Sequence, residues 1–241
     1  MAARTSQQET EELKMTIMEH LQEMRRRLIR IIIYLAIGTA IGLYVAGYVY
    51  QFLYNPAPPG FKPIAIEMTE NFFTYFRVAV MTGAGIAMPF MIWEVIGFVA
   101  PALTPEEKRY ALFLLPGITV CFVAGVLFGY FVTLPFAVKY LLNFGGDFAS
   151  VTPTVSNYIG LVTMVLFWMG CVFELPIILY FLAKIGLVNH KKLAGFRKYF
   201  FVIAFVIAAI VTPTPDPLNQ TLMALPLVIL WEVGVQLAKL A

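Results

Sequence analysis

Six long apolar runs constrain this chain more than any other feature. They lie near residues 28–50, 71–98, 110–135, 158–183, 199–212 and 218–237. A hydrocarbon core about 30 Å thick takes about 20 apolar residues in a helix. Inside it the backbone must satisfy its own hydrogen bonds, which leaves helices or closed barrels. The breaks between the runs carry turn chemistry: "NPAPPGFKP" at 55–63, "APALTPEEKR" at 100–109, "NFGGDFASVTPT" at 143–154, "GLVNHKKLAG" at 186–195 and "TPTPDP" at 212–217. Of the 241 residues 60% are apolar and 13% charged, against about 25% charged in soluble domains. The expectation is an all-α integral membrane protein of six transmembrane helices, one membrane domain over 1–241 with a polar N-terminal segment at 1–24. No cleavable signal peptide is expected, because the first 24 residues are polar and the run after Arg30 has no small-residue cleavage site.

Orientation follows from lysine and arginine. One side of the membrane holds only Lys62 and Lys139. The other holds Lys14, Arg25, Arg26, Arg27, Arg30, Lys108, Arg109, Lys184, Lys191, Lys192, Arg197, Lys198 and Lys239. Both termini are therefore expected in the cytoplasm, with the protein in the cell's cytoplasmic (inner) membrane. Pro89, Pro116, Pro135, Pro176 and Pro226 fall within the runs, where each is expected to kink its helix and give a concave bundle. Helices 5 and 6 are expected to be short: Tyr199–Val211 would rise only ~20 Å, so the fifth span is expected to thin the bilayer locally or draw in water. Gly38–Gly42 and Gly125–Gly129 have GxxxG spacing, which permits close helix contact. Packing within the chain is the preferred reading over self-association, which stays open.

Several chemistries find no residues here. A Gly-Lys dipeptide is absent, so there is no P-loop. The only serines are Ser6, Ser150 and Ser156 and the only histidines His20 and His190, and the topology puts histidines and later serines on opposite sides. Cys121 and Cys171 lie in apolar runs without metal spacing and suit small buried hydrophobes. No enzyme, cofactor or metal is expected, and a net charge of +3 gives no case for nucleic acid.

The acids remain. Glu23 stands in "HLQEMRRRLIR", where a salt bridge to Arg26 or Arg27 at i+3 or i+4 is one account. Glu107 follows Thr104 and Pro105, a cap and first turn for a helix. Glu94 lies inside the second span, Glu232 near the inner end of the last, and Glu174 at the middle of the fourth, two residues before Pro176. Glu174 is either helix–helix glue, protonated and hydrogen-bonded, or a point that something polar visits, since intramembrane acids are costly. Together these acids sketch an anionic path from the cytoplasmic face inward.

In combination, "EHLQEMRRRL" at 19–28, "FVAPALTPEEKR" at 98–109, "FELP" at 173–176, "FRKYFFVIAFVIAAIVTPTPD" at 196–216 and "QTLMALPLVILWEVGV" at 220–235 resemble the TatC family, the multi-spanning subunit of the twin-arginine protein translocase. Met24 departs from the usual leucine and Glu94 from the commoner glutamine. The resemblance implies a protein-export receptor that binds twin-arginine signal peptides and assembles with small single-span subunits of the TatA/TatB type. It implies that Glu23 and Glu107 receive the two guanidinium groups, that Arg25 and Phe98 shape that site and that Glu94 adds charge. It makes Glu174 a polar point in an intramembrane groove, and Asp216, Gln220 and Glu232 part of a partner-docking surface. A small secondary transporter or proton channel, with Glu174, Glu94 and Glu232 as a relay, is the alternative; the motif order and the missing internal repeat count against it.

Overall fold

The computed structural model describes residues 17–57, 61, 63–99, 103–143, 153–212 and 217–240. Helices α1 (Ile17–Tyr54), α2 (Glu70–Val99) and α3 (Pro105–Phe128) are followed by a π-helical turn (Gly129–Thr133) and α4 (Leu134–Asn143). Then come α5 (Val155–Phe173), α6 (Leu175–Lys184), α7 (His190–Val211) and α8 (Pro217–Leu237). With α3–α4 and α5–α6 each counted as one continuous span, six helices among the described residues are long and apolar enough to cross a membrane. The described residues contain no strand, only a bridge between Ile64 and Thr154. The all-α, six-span expectation is what is found.

Helix lengths differ from the apolar runs in an instructive way. α1 has 38 residues and is about 57 Å long at 1.5 Å per residue, almost twice the hydrocarbon core. It starts well before position 28, so Glu23 and the arginines after it ride on a helix that outruns the bilayer. α7 has 22 residues, about 33 Å, because "HKKLAGFRK" is helical and joins the apolar Tyr199–Val211 part. The fifth helix is thus long enough to cross, although it and α8, with 21 residues, remain the shortest spans.

The helices continue through Pro89, Pro116 and Pro226, but two other prolines coincide with changes in hydrogen bonding. Ahead of Pro135 the chain makes a π turn, in which the Leu134 N–H donates to the Gly129 carbonyl, a usual way for a helix to absorb an interruption. Ahead of Pro176, which cannot donate to Val172, the helix breaks for the single residue Glu174.

Close packing joins α1 to α2. A Cβ on Gly38 would strike the Gly83 carbonyl, and one on Gly42 the Ala79 carbonyl. Gly83 in turn faces the backbone of Thr39, where an added Cβ would lie 2.6 Å from the Thr39 Cα. The second GxxxG pair is used the same way: a Cβ on Gly125 would lie 2.8 Å from Phe173 Cβ and one on Gly129 3.1 Å from Met169 Cβ, both on α5. Each pair therefore packs within the chain. On the far side of the break, Gly234 of α8 leaves room for Pro176 and Leu179 of α6, and Phe200 stacks on Trp231 at 4.0 Å to join α7 and α8.

Backbone-on-backbone contact cannot relax around an added side chain. Gly83→Leu should lower thermal stability in detergent by about 3 kcal/mol or more, whereas Gly195→Leu, with nothing within 4 Å, should leave it unchanged. Equal melting temperatures for the two variants would contradict the seam.

Candidate functional site

The seam between α1 and α2 continues past its glycines as a polar ladder. Tyr34 meets Phe90 at 5.6 Å between ring centroids, and His20 stacks on Phe98 at 4.5 Å. Between these rings sits a four-membered charge cluster. The Arg27 Nε donates to Glu23 Oε1 at 2.9 Å, and its Nη2 reaches the same oxygen. Its Nη1 donates to Glu94 Oε2 at 3.0 Å. Arg30 Nη1 donates to both oxygens of Glu94 at 3.2 Å, and the Tyr34 hydroxyl lies 3.4 Å from Oε1. Gly97 is part of the cluster's geometry, because a Cβ there would lie 2.9 Å from Arg27 Cζ.

Burial separates the two acids. Glu94 is 2% exposed, a carboxylate held by two guanidinium groups, the pairing that makes a buried charge tolerable. Glu23 is only partly buried, and its Oε2 is inaccessible without a hydrogen-bond partner among the described residues. One arginine therefore bridges both acids and leaves one oxygen of Glu23 unused. The i+4 account of Glu23 is correct for Arg27 and incomplete, since the same guanidinium reaches across to α2. Arg25 is exposed on α1.

Glu107 lies on the first turn of α3 in a reciprocal capping box: Glu107 N donates to Thr104 Oγ1 at 3.4 Å and Thr104 N to Glu107 Oε2 at 2.7 Å, with Pro105 at the first position. None of the cluster's hydrogen bonds involves it. Glu232 is taken as well: Arg197 Nε and Nη2 grip its two oxygens as a fork, and Gln236 adds a donor at 3.0 Å. Gln220 donates to the Phe205 carbonyl at 2.8 Å, tying α8 to α7. Asp216 lies outside the described residues.

Glu174 stands apart from all of these. At the α5–α6 break it is 3% exposed, and neither oxygen has a partner among the described residues. It borders an apolar cavity of about 400 Å³ whose opposite walls are Met88, Ile92 and Val95 of α2 and Leu114 and Ile118 of α3. A relay of Glu174, Glu94 and Glu232 has no support in this arrangement, since two of its members are held in ion pairs on different helix pairs.

Sequence reasoning missed Glu70. Its carboxylate accepts from Ile66 N at 2.9 Å and from Ser156 N at 2.7 Å, clamping the loop before α2 to the first turn of α5. The signal was available: an acid opening a span on the side of the membrane that is poor in charge.

These features define a class first: a polytopic helical membrane protein with Glu94 and Glu232 in interhelical ion pairs and Glu174, unpartnered among the described residues, beside an apolar cavity. Comparison with known proteins then narrows it. The family model described as Sec-independent protein translocase protein (TatC) matches residues 19–226. The chain is 38% identical over 230 residues to the Sec-independent protein translocase protein TatC of Carboxydothermus hydrogenoformans, covering 95% of each chain. With that of Aquifex aeolicus the identity is 42% over 232 residues, covering 94% of this chain and 96% of the relative. A crystal structure described as the twin arginine translocase receptor TatC superposes with a TM-score of 0.82 at 41% identity, over 92% of this chain and 99% of that one. The chain belongs to the TatC family, and is a protein translocase subunit of the membrane.

The two kinds of ion pair should respond differently to loss of the acid. Glu94→Ala strands two guanidinium groups beside a buried position and should cost about 2–3 kcal/mol, reduced from the buried-pair range because Arg30 stays half exposed. Glu232→Ala removes a pair with both partners over 40% exposed, worth about 0–1 kcal/mol. Melting temperatures of both variants in one detergent check the ordering, and a Glu232 variant at least as unstable as the Glu94 variant contradicts it.

Proposed function

We propose that this chain is the receptor and core subunit of a twin-arginine translocase. It binds the twin-arginine signal peptides of folded precursor proteins at the cytoplasmic face, and it nucleates assembly with small single-span subunits of the TatA/TatB type for export driven by the proton-motive force. Both termini lie in the cytoplasm in this reading, on the side where lysine and arginine concentrate.

The observation that carries the reading is Glu23, whose second oxygen is buried without a partner among the described residues, on the part of α1 that outruns the bilayer. A carboxylate takes a guanidinium as a planar, two-pronged pair that lysine cannot reproduce, so two such acids select Arg-Arg over Lys-Lys. Glu23 and Glu107 receive the two arginines of the signal peptide. Arg25 and Phe98 shape the site, and Glu94 adds charge by holding Arg27. Glu174, at the cavity between α2, α3 and α6, meets a partner helix or the inserting signal peptide. Asp216, Gln220 and Glu232, with the α7–α8 hairpin, form the surface on which single-span subunits dock.

Recognition and docking separate by mutation. Glu23→Ala or Glu107→Ala should weaken precursor binding by about 2 kcal/mol, roughly thirtyfold, since the lost pair is partly wet. Glu174→Ala should bind precursor normally and keep its melting temperature, because removing an unpartnered carboxyl strands nothing, while translocation fails. Glu174→Gln should be milder, the amide keeping hydrogen-bonding capacity. Precursor affinity, melting temperature and translocation are measured on the same preparations. Unchanged affinity in both recognition variants, or a destabilised Glu174→Ala protein whose folded fraction transports normally, overturns the assignment.

A further inference from the structure

Arg77 is an intramembrane cation that none of the sites above uses. It lies seven residues into α2, about 10 Å along the helix from Glu70, inside a membrane-length helix and exposed on its surface. It forms none of the ion pairs among the described residues. Glu70, two turns away on the same helix face, has both oxygens on backbone N–H groups. The guanidinium instead lies over α5 at Gly160, where a Cβ would sit 2.6 Å from its Nη1. A charge inside a span is expensive unless it finds a partner or reaches the headgroups. Side chains on a helix lean toward its N-terminus, so Arg77 leans toward the membrane surface at which α2 begins.

The faces that carry Arg77 and Gly160 open, one turn deeper, into an apolar cavity of about 500 Å³. Met81 and Gly85 follow Arg77 at i+4 and i+8, and Thr163 and Phe167 follow Gly160 at i+3 and i+7, so each pair continues its helix stripe. Phe52 of α1 and Phe122 of α3 close the remaining sides. A cationic rim over an apolar hole is the chemistry of an amphiphile with an anionic head.

We propose that Arg77 and this cavity bind one membrane glycerophospholipid, its phosphate on the guanidinium and one acyl chain in the cavity. A planar guanidinium takes a phosphate by two parallel hydrogen bonds. Size favours a single chain over a partner helix: a helix about 10 Å across would fill 500 Å³ with roughly one turn. Its lining shares no residue with the Glu23 cluster or with the cavity at Glu174, and it does not depend on their assignment.

The test uses the full chain purified in detergent and native mass spectrometry with added dioleoyl phosphatidylglycerol. Dioleoylglycerol, which has the same chains without phosphate, and inorganic phosphate are the controls. The wild-type protein should retain the phospholipid, and Arg77→Gln should bind it about fivefold more weakly, the worth of one basic residue near a lipid surface. Dioleoylglycerol should bind both proteins equally, and inorganic phosphate should not displace the phospholipid. Gly85→Leu, whose added Cβ meets only Phe122 at 3.6 Å, should lower retention by filling the cavity, and it decides the matter alone if Arg77→Gln does not fold. Equal retention by wild type and Arg77→Gln, or undiminished retention in Gly85→Leu, overturns the site. Unchanged lipid retention in Arg77→Gln with loss of a co-purifying single-span subunit would likewise overturn it, assigning Arg77 to a partner's carboxylate.

Discussion

The contact of α1 with α2 is the interaction on which the rest depends. Gly38 and Gly42 bring one backbone onto the other at Gly83 and Ala79, and lipid offers no hydrophobic force to hold two helices together, so close packing has to. Once that register is set, every contact toward the N-terminal end of α1 follows from antiparallel geometry. Tyr34 faces Phe90, Arg27 faces Glu94, and His20 faces Phe98. A shift of one residue would turn Glu94, buried between the helices, away from both guanidinium groups. The glycines at mid-membrane thus position charges some 20 Å away along α1.

α2 also divides two environments. Glu94 points at α1 and is neutralised there, while its neighbours Ile92 and Val95 face the cavity that Glu174 borders. The contrast lies in satisfaction: among the described residues Glu94 has several donors and Glu174 none. Buried ion pairs gain little net stability over apolar packing, and their attested use is to fix register. Glu94 fits that use. A carboxyl left without donors has no structural return to offset its desolvation, which is the physical ground for giving Glu174 a task with a partner.

Much of this was legible in the sequence because span length and local spacing report on one helix at a time. Six spans, the Thr104–Glu107 cap and the i+4 step from Glu23 to Arg27 all lie within about one turn or one run. Illegible were contacts that depend on how two helices rotate about their axes. Arg27 and Glu94 are 67 residues apart, and no periodicity says that Arg27, and not Arg26, turns toward α2. The start of α1 at Ile17 was hidden because polar residues continue a helix without an apolar signal. The fifth helix was underestimated for the same reason, with "HKKLAG" placed in the break before it. Glu70 was marked in the sequence only as an acid opening a span; its partners, backbone N–H groups, leave no mark there.

The central claim is that an arginine pair enters at the cytoplasmic end of the α1–α2 seam while the following apolar segment lies along the cavity at Glu174. Site-specific photocrosslinking tests it directly, with the probe placed in turn at positions 23, 94, 107 and 174 and a precursor bearing either Arg-Arg or Lys-Lys. The account predicts Arg-Arg-dependent adducts near the arginines from positions 23 and 107, and adducts from position 174 to the apolar part of the same signal peptide. Adducts at 23 and 107 that form equally with Lys-Lys, or none at all at those positions while 174 still crosslinks, would contradict it.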